Sequence, residues 1–138
     1  MLAIILIIAT VLLWGVAPIL DKIALVNSDA WVAVIVRSWV VCVLATVFMF
    51  ITGRTRTVFN TDLKTIGLFS ASGIMMGFLA MLTFYYVLKL QPASKIIPLT
   101  SVYPLVAAVL GVIFLKEAFT IERFIGVGLI VAGVWLVK

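Results

Sequence analysis

Few residues in this chain have side chains that can do chemistry, and their positions narrow the choice further. Arg37 stands about two turns into a long apolar run that begins at Ala30. A guanidinium at such depth must be paired, face water, or snorkel to an end. Two readings follow. Arg37 reaches back toward one end, with Asp29 or Asp21 as a partial partner, or it faces an anion inside an aqueous cavity. The acidic residues Asp21, Asp29, Asp62, Glu117 and Glu122 all fall near the ends of apolar runs. No carboxylate is therefore placed mid-run as a proton relay. With no histidine and a single cysteine, Cys42, a zinc or haem site has almost no ligands, and an intrachain disulfide is excluded. Neither a GxSxG nor a Walker pattern occurs, and no carboxylate pair lies within a run. The expectation is a protein that is not an enzyme, with no cofactor and no metal.

A second group of residues suits binding rather than catalysis. Pro98, Ser101, Tyr103 and Pro104 share one apolar segment. Two prolines there remove two backbone donors, and the carbonyls a turn earlier lose their partners. Such backbone is tolerated in lipid only where protein or a water-filled cavity covers it, which marks a helix facing a solute. Trp14, Tyr86 and Tyr103 offer aromatic faces to apolar or cationic solutes, while Trp31 and Trp135 suit the membrane interface. Gly73 and Gly77 form a GxxxG spacing, and Gly126, Gly128 and Gly133 line the last segment. Small residues at such spacing let another helix approach closely, either within one bundle or across a dimer seam.

The elements that carry these residues are apolar to an extent that only lipid accommodates. The 138 residues are 66% hydrophobic and 11% charged, with a mean hydropathy of +1.39. A soluble domain is about half apolar and about a quarter charged. Five apolar segments appear, near 2–20, 30–51, 66–88, 96–115 and 121–137. Each is close to the roughly 17 to 25 residues that cross a bilayer as a helix. The last is the weakest, being short and glycine-rich. Strand alternation is absent, and the segments are about twice the length of a barrel strand. The first has no basic start and no small-residue cleavage site, so it reads as a retained span rather than a signal peptide. Asn27-Ser28-Asp29 and Asn60-Thr61-Asp62 offer N-caps for the second and third helices, and Phe119 or Thr120 opens the last. The fold class expected is all-α, an integral membrane bundle of about five helices in one domain, 1–138.

The net charge of +5 does not point to nucleic acid, because the basic residues sit between apolar runs and form no stripe. An odd number of spans puts Arg54, Arg56, Lys64, Lys116 and Arg123 on one side. Lys22, Lys89, Lys95 and Lys138 fall on the other, with Arg37 deeper. The two sides nearly tie. Either short loops fix one orientation, with a slight preference for a cytoplasmic N-terminus, or the chain inserts both ways.

Several runs together resemble the EamA family of the drug/metabolite transporter superfamily. They are Trp14-Gly15-Val16-Ala17-Pro18 with Lys22, Arg37, and Tyr86 through Leu90-Gln91-Pro92-Ala93-Ser94. Pro98-Leu99, Tyr103-Pro104, Phe114-Leu115-Lys116-Glu117, Arg123-Phe124-Ile125-Gly126 and Leu129-Ile130-Val131-Ala132-Gly133 complete the set. The resemblance implies one five-helix repeat of a fold that elsewhere has two repeats in opposite orientation. It implies a half-size transporter of small solutes, metabolites or drugs, working by alternating access as an antiparallel dimer in the cell inner membrane. Its partners would be a solute, the bilayer, and a second copy or a paralogous membrane protein. By the same analogy Trp14, Pro18, Arg37, Tyr86, Ser101, Tyr103 and Pro104 line the path, and Gly15, Gly73, Gly77, Gly126 and Gly133 let helices pack. The small four-helix multidrug exporters of the superfamily carry a first-helix glutamate that exchanges protons for drug. Leu12-Leu13-Trp14-Gly15-Val16 contains no acid, which counts against that alternative. A non-transporting subunit of a partner protein is the other.

Overall fold

A backbone without water nearby must satisfy its polar groups inside its own segment, and every regular element among the described residues is a helix. The structure, a computed structural model, describes residues 1–118 and 120–137, apart from the side chains of Arg123, Phe124 and Val137. The expectations placed on Phe119, Lys138 and the Arg123 side chain lie outside the described residues. In order, the helices are α1 (Leu2–Leu25), α2 (Ala30–Ile51), the short α3 (Thr55–Phe59) and α4 (Leu63–Ser72). A π-helical segment (Gly73–Ala80) leads into α5 (Met81–Leu90), followed by α6 (Ala93–Thr100), α7 (Tyr103–Leu115) and α8 (Ile121–Val137). Four stretches are long and apolar enough to cross a membrane: Leu2–Leu25, Ala30–Ile51, Leu63–Leu90 and Ala93–Leu115. The apolar part of α8, Ile125–Leu136, is shorter. The chain is an all-α membrane protein.

The residues form two compact units, Met1–Leu90 and Gln91–Lys138. In the first, α1, α2 and α5 pack together. Leu25, Ala30, Val34, Tyr85 and Leu88 are buried there, and they come from the end of α1, the start of α2 and the end of α5. The rest of each helix presents apolar side chains outward: Leu13, Trp39 and Leu90 are among many exposed ones. A water-soluble core would be inside out by this measure, whereas lipid takes such a surface without penalty. In the second unit α6 packs on α8, and Ile96 is buried.

The helix ends follow local chemistry, with two departures from the sequence reading. Helix α1 does not stop at Asp21-Lys22 but runs on to Leu25, so both charged residues belong to its last two turns. Asp62 caps α4 by accepting from the Thr65 N–H at 2.9 Å, the bond an N-cap carboxylate makes. Asp29 holds the N-cap position of α2 but makes no side-chain cap bond; its carboxylate is engaged elsewhere. At the end of α2, Gly53 has a φ of +65°. The Arg54 N–H reaches back to the Met49 carbonyl at 3.1 Å, the closing bond of a Schellman motif. Lys116 takes the same left-handed region, φ 54°, after α7.

The fourth span is not one helix. Pro98 lies inside α6, Ser101 and Val102 form a turn, and Pro104 sits in the first turn of α7. The Ser101 N–H is shared between the Ile97 and Pro98 carbonyls, at 3.1 Å each, and the chain restarts with Leu105 N–H to Val102 O at 2.9 Å.

Gly53→Ala tests the Schellman turn. A Cβ there meets no neighbour within 4 Å, so only the left-handed backbone opposes it, and the expected loss is about 1 kcal/mol. Denaturant unfolding in mixed micelles, followed by circular dichroism, reads it. Gly67→Ala, in α4 with equal space and no positive φ, should instead be neutral or stabilising.

Candidate functional site

Polar groups in the first unit collect where its buried residues are. On α1, Asp21, Lys22 and Leu25 lie within one turn. On α5, Tyr85, Leu88 and Lys89 stand at positions i, i+3 and i+4, one face of a helix. On α2, Ala30, Val34 and Arg37 continue the same spacing. Apolar packing of these three faces brings the polar side chains into reach of each other.

Arg37 Nη1 lies 3.3 Å from Asp21 Oδ2 and donates to the Tyr85 hydroxyl at 2.9 Å. The three helices are thus joined by an arginine, an aspartate and a tyrosine. Counted from the helix ends at about 1.5 Å per residue, Arg37 is about 10 Å into α2, Tyr85 about 7 Å from the end of α5, and Asp21 about 6 Å from the end of α1. Tyr85 is 1% exposed, and the side chains of Arg37 and Asp21 are 45% and 23% exposed. The guanidinium is therefore paired within the protein, with Asp21 rather than Asp29.

A second set of contacts closes the end of the same helices. Lys89 Nζ donates to Asp29 Oδ1 and to the Ser28 carbonyl, both at 2.8 Å. This is what occupies the carboxylate of Asp29, and the Lys89 ammonium holds that carboxyl below its ordinary range. The Thr65 N–H does the same to Asp62. In both cases the charged acid is favoured in the folded chain, so the contribution is present at neutral pH and is lost as pH falls through the lowered value. Lys22 Nζ donates to the Leu88 carbonyl at 2.6 Å and the Lys89 carbonyl at 3.4 Å, placing a cation on the negative end of α5. Lys22, Leu25, Val26 and Lys89 border an open cavity of about 190 Å³, rimmed by two ammonium groups.

The other residues singled out from sequence are placed as follows. Pro18 lies inside α1, one turn before Asp21 and Lys22, with Trp14 a turn earlier still. Tyr86 is 45% exposed and turned away from the network that holds Tyr85. In the second unit Ser101, Tyr103 and Pro104 surround the helix break, and Ser101 Oγ donates to the Ile97 carbonyl at 2.8 Å. A Cβ built at Gly15, Gly73, Gly77, Gly126 or Gly133 meets nothing within 4 Å among the described residues. Gly73 and Gly77 fall in the π-helical segment, a widened turn seen often at functional positions.

Sequence reasoning named Asp21 as one of two possible partners of Arg37, and the structure pairs them; it missed Tyr85 as the other. The signal for Tyr85 was its i, i+4 spacing to Lys89, which puts both on the face toward α1 and α2.

The sequence model of the EamA-like transporter family matches residues 1–138. An uncharacterized protein of Methanocaldococcus jannaschii, MJ1333.1, is 29% identical over 99% of this chain and 96% of its own. A protein of Sinorhizobium sp. called an uncharacterized transporter in the cobO 3' region is 30% identical, over 83% of this chain and 79% of its own. No solved structure matches the chain significantly.

Tyr85→Phe keeps the ring in its buried place and removes the oxygen that Arg37 donates to. A hydrogen bond to a charged group contributes about 1.5 to 3 kcal/mol, so unfolding in mixed micelles should show a loss toward the lower end, since the guanidinium is half exposed. Tyr86→Phe should change stability by less than about 0.5 kcal/mol. Equal effects would mean that the arginine–tyrosine bond contributes nothing.

Proposed function

Because the chain belongs to the EamA-like transporter family across residues 1–138, we propose that it carries a small solute through the bilayer by alternating access, working as an antiparallel dimer. It is a multi-pass membrane protein of a transporter family, and that match is the observation the reading stands on. The helix break at Ser101 supports it, since discontinuous helices line the sites of many secondary transporters and expose backbone to the solute. The path residues are Trp14, Pro18 and Arg37 with Tyr86, together with Ser101, Tyr103 and Pro104 around the break. Alternating access calls for binding and rocking, with no chemistry on the solute.

Three observations support a second, inverted copy. The match to the M. jannaschii protein covers 96% of that relative, so a chain of this size recurs there. The basic residues are divided almost evenly between the two sides, which leaves the orientation rule little to act on. Gly15, Gly73, Gly77, Gly126 and Gly133 have room that nothing among the described residues fills within 4 Å, and close helix contact in lipid is made at such positions. The membrane proposed is the cell inner membrane, and the single domain proposed is 1–138.

Topology in cells tests the dimer. With Cys42 replaced, a cysteine is placed at Thr57 or at the C-terminus and probed with an impermeant thiol reagent. Partial labelling at both positions is expected. Labelling at one position alone overturns the antiparallel homodimer, leaving a paralogous partner or a non-transporting subunit. In vesicles that take up solute, Arg37→Ala should lower uptake at least about tenfold while the amount inserted is unchanged; loss of inserted protein would instead make Arg37 structural.

A further inference from the structure

Three cations of the first unit stand near one another, and each is held differently. Lys89 is tied to Asp29 at 2.8 Å. Lys22 lies on the last carbonyls of α5, 2.6 Å from the nearer. Arg37 has the loosest bridge, 3.3 Å to Asp21. Both of its contacts, to Asp21 and to Tyr85, use one nitrogen, Nη1. Its Nη2 and Nε donate to no described residue, and the side chain is 45% exposed. A guanidinium matches an oxyanion best with two parallel N–H bonds, and Nη2 and Nε are the pair left to make them on a side chain nearly half exposed. Lys22, Arg37 and Lys89 against Asp21 and Asp29 leave three positive charges and two negative, an excess of one.

We propose that Arg37 binds the oxyanion of a solute, and that Asp21 is the built-in counter-anion that releases the guanidinium on taking a proton. The inference rests on the transporter reading and names its substrate class: a solute bearing a carboxylate or a similar oxyanion. With Asp21 charged, the carboxylate occupies Arg37 and repels an incoming anion. With a proton from water on Asp21, that repulsion is gone, Tyr85 still orients Nη1, and Nη2 and Nε receive the solute. When the solute leaves, Asp21 returns its proton to water and pairs again. Solute anion and proton are thereby held in the same state of the protein.

The groups facing Asp21 agree with this role. Helices α2 and α5 are the ones packed against α1. From α2 comes Arg37; from α5 come Tyr85 and, nearer the helix end, Lys89, whose charge Asp29 already meets. Lys22 is its neighbour on α1, set against the end of α5. Asp21 is therefore the acid in direct contact with Arg37, and its protonation changes the charge that Arg37 sees. The position of α1 matters here. Had the helix ended at Asp21, the carboxylate would sit in water and Arg37 would be alone.

The test uses purified protein in maltoside micelles, labelled with ¹⁵N-arginine, and benzoate as the probe. Arg37→Gln identifies the Arg37 guanidinium signal. Benzoate should move that signal, with higher affinity at acid than at neutral pH. Asp21→Asn should bind benzoate about tenfold more tightly at neutral pH, a usual size for coupling between two groups, and should lose the pH dependence. Equal affinities in the two proteins overturn the proposal, as does a signal that benzoate leaves unmoved in both. The pH dependence of the unsubstituted protein decides the matter even if Asp21→Asn does not fold. If phosphatidylglycerol displaces benzoate from Arg37, the site takes a lipid headgroup and the solute assignment falls. Binding in micelles needs neither transport nor two orientations, so a fixed topology would sink the antiparallel dimer and leave this inference standing, and equal affinities would do the reverse.

Discussion

A guanidinium that cannot lose its charge, placed about two turns into an apolar helix, sets the terms for the first unit. Its charge has to be met inside the protein, because the cost of leaving it alone in lipid is several kcal/mol on any scale. The partners come from two other helices, Asp21 on α1 and Tyr85 on α5. Meeting that demand requires α1 to continue past its charged residues and α5 to turn Tyr85 inward, and Leu25, Val34 and Leu88 of the same three helices are buried with Tyr85. The buried residues of the unit come from the same three helices that make this contact.

The same end of the unit shows how a charged residue can be diverted from a local task to a distant one. Asp29 has the sequence position of an N-cap, and in isolation it would bond to the backbone of α2. Lys89 takes it instead, across sixty residues of chain. Lys22 in turn satisfies carbonyls that α5 cannot satisfy for itself. Short-range capping of α2 is given up for ties between helices. In lipid, where apolar faces attract one another no more than they attract acyl chains, such ties decide which helices meet.

How far the sequence was legible depended on range. The spans were visible as runs of apolar residues because the bilayer imposes one length and one composition on all of them, and Pro98 with Pro104 announced the interruption in the fourth. The caps at Asp62 and Gly53 are local, and the residue types name them. The end of α1 was less visible. Asp21 and Lys22 look like punctuation when read along the chain, whereas the structure keeps them in α1 with partners on α2 and α5 that are distant in sequence. Tyr85 and Tyr86 are adjacent and alike in composition, and which one turns inward is set by the phase of α5 after a widened π-helical stretch, a shift that no apolar count records. The glycines were legible as places where something could approach, but not as to what does.

The first unit's helices are tied at one end and bare along the rest, and this has a mechanical consequence. From the tied end, α1 extends 24 residues, a rigid arm of about 36 Å at 1.5 Å per residue. A tilt of about five degrees at the tie sweeps its far tip through about 3 Å, roughly the width of a water molecule, by the geometry of an arm that long. Movements smaller than a bond length around Asp21 and Arg37 are therefore magnified at the opposite face of the membrane, where no packing within the unit resists them.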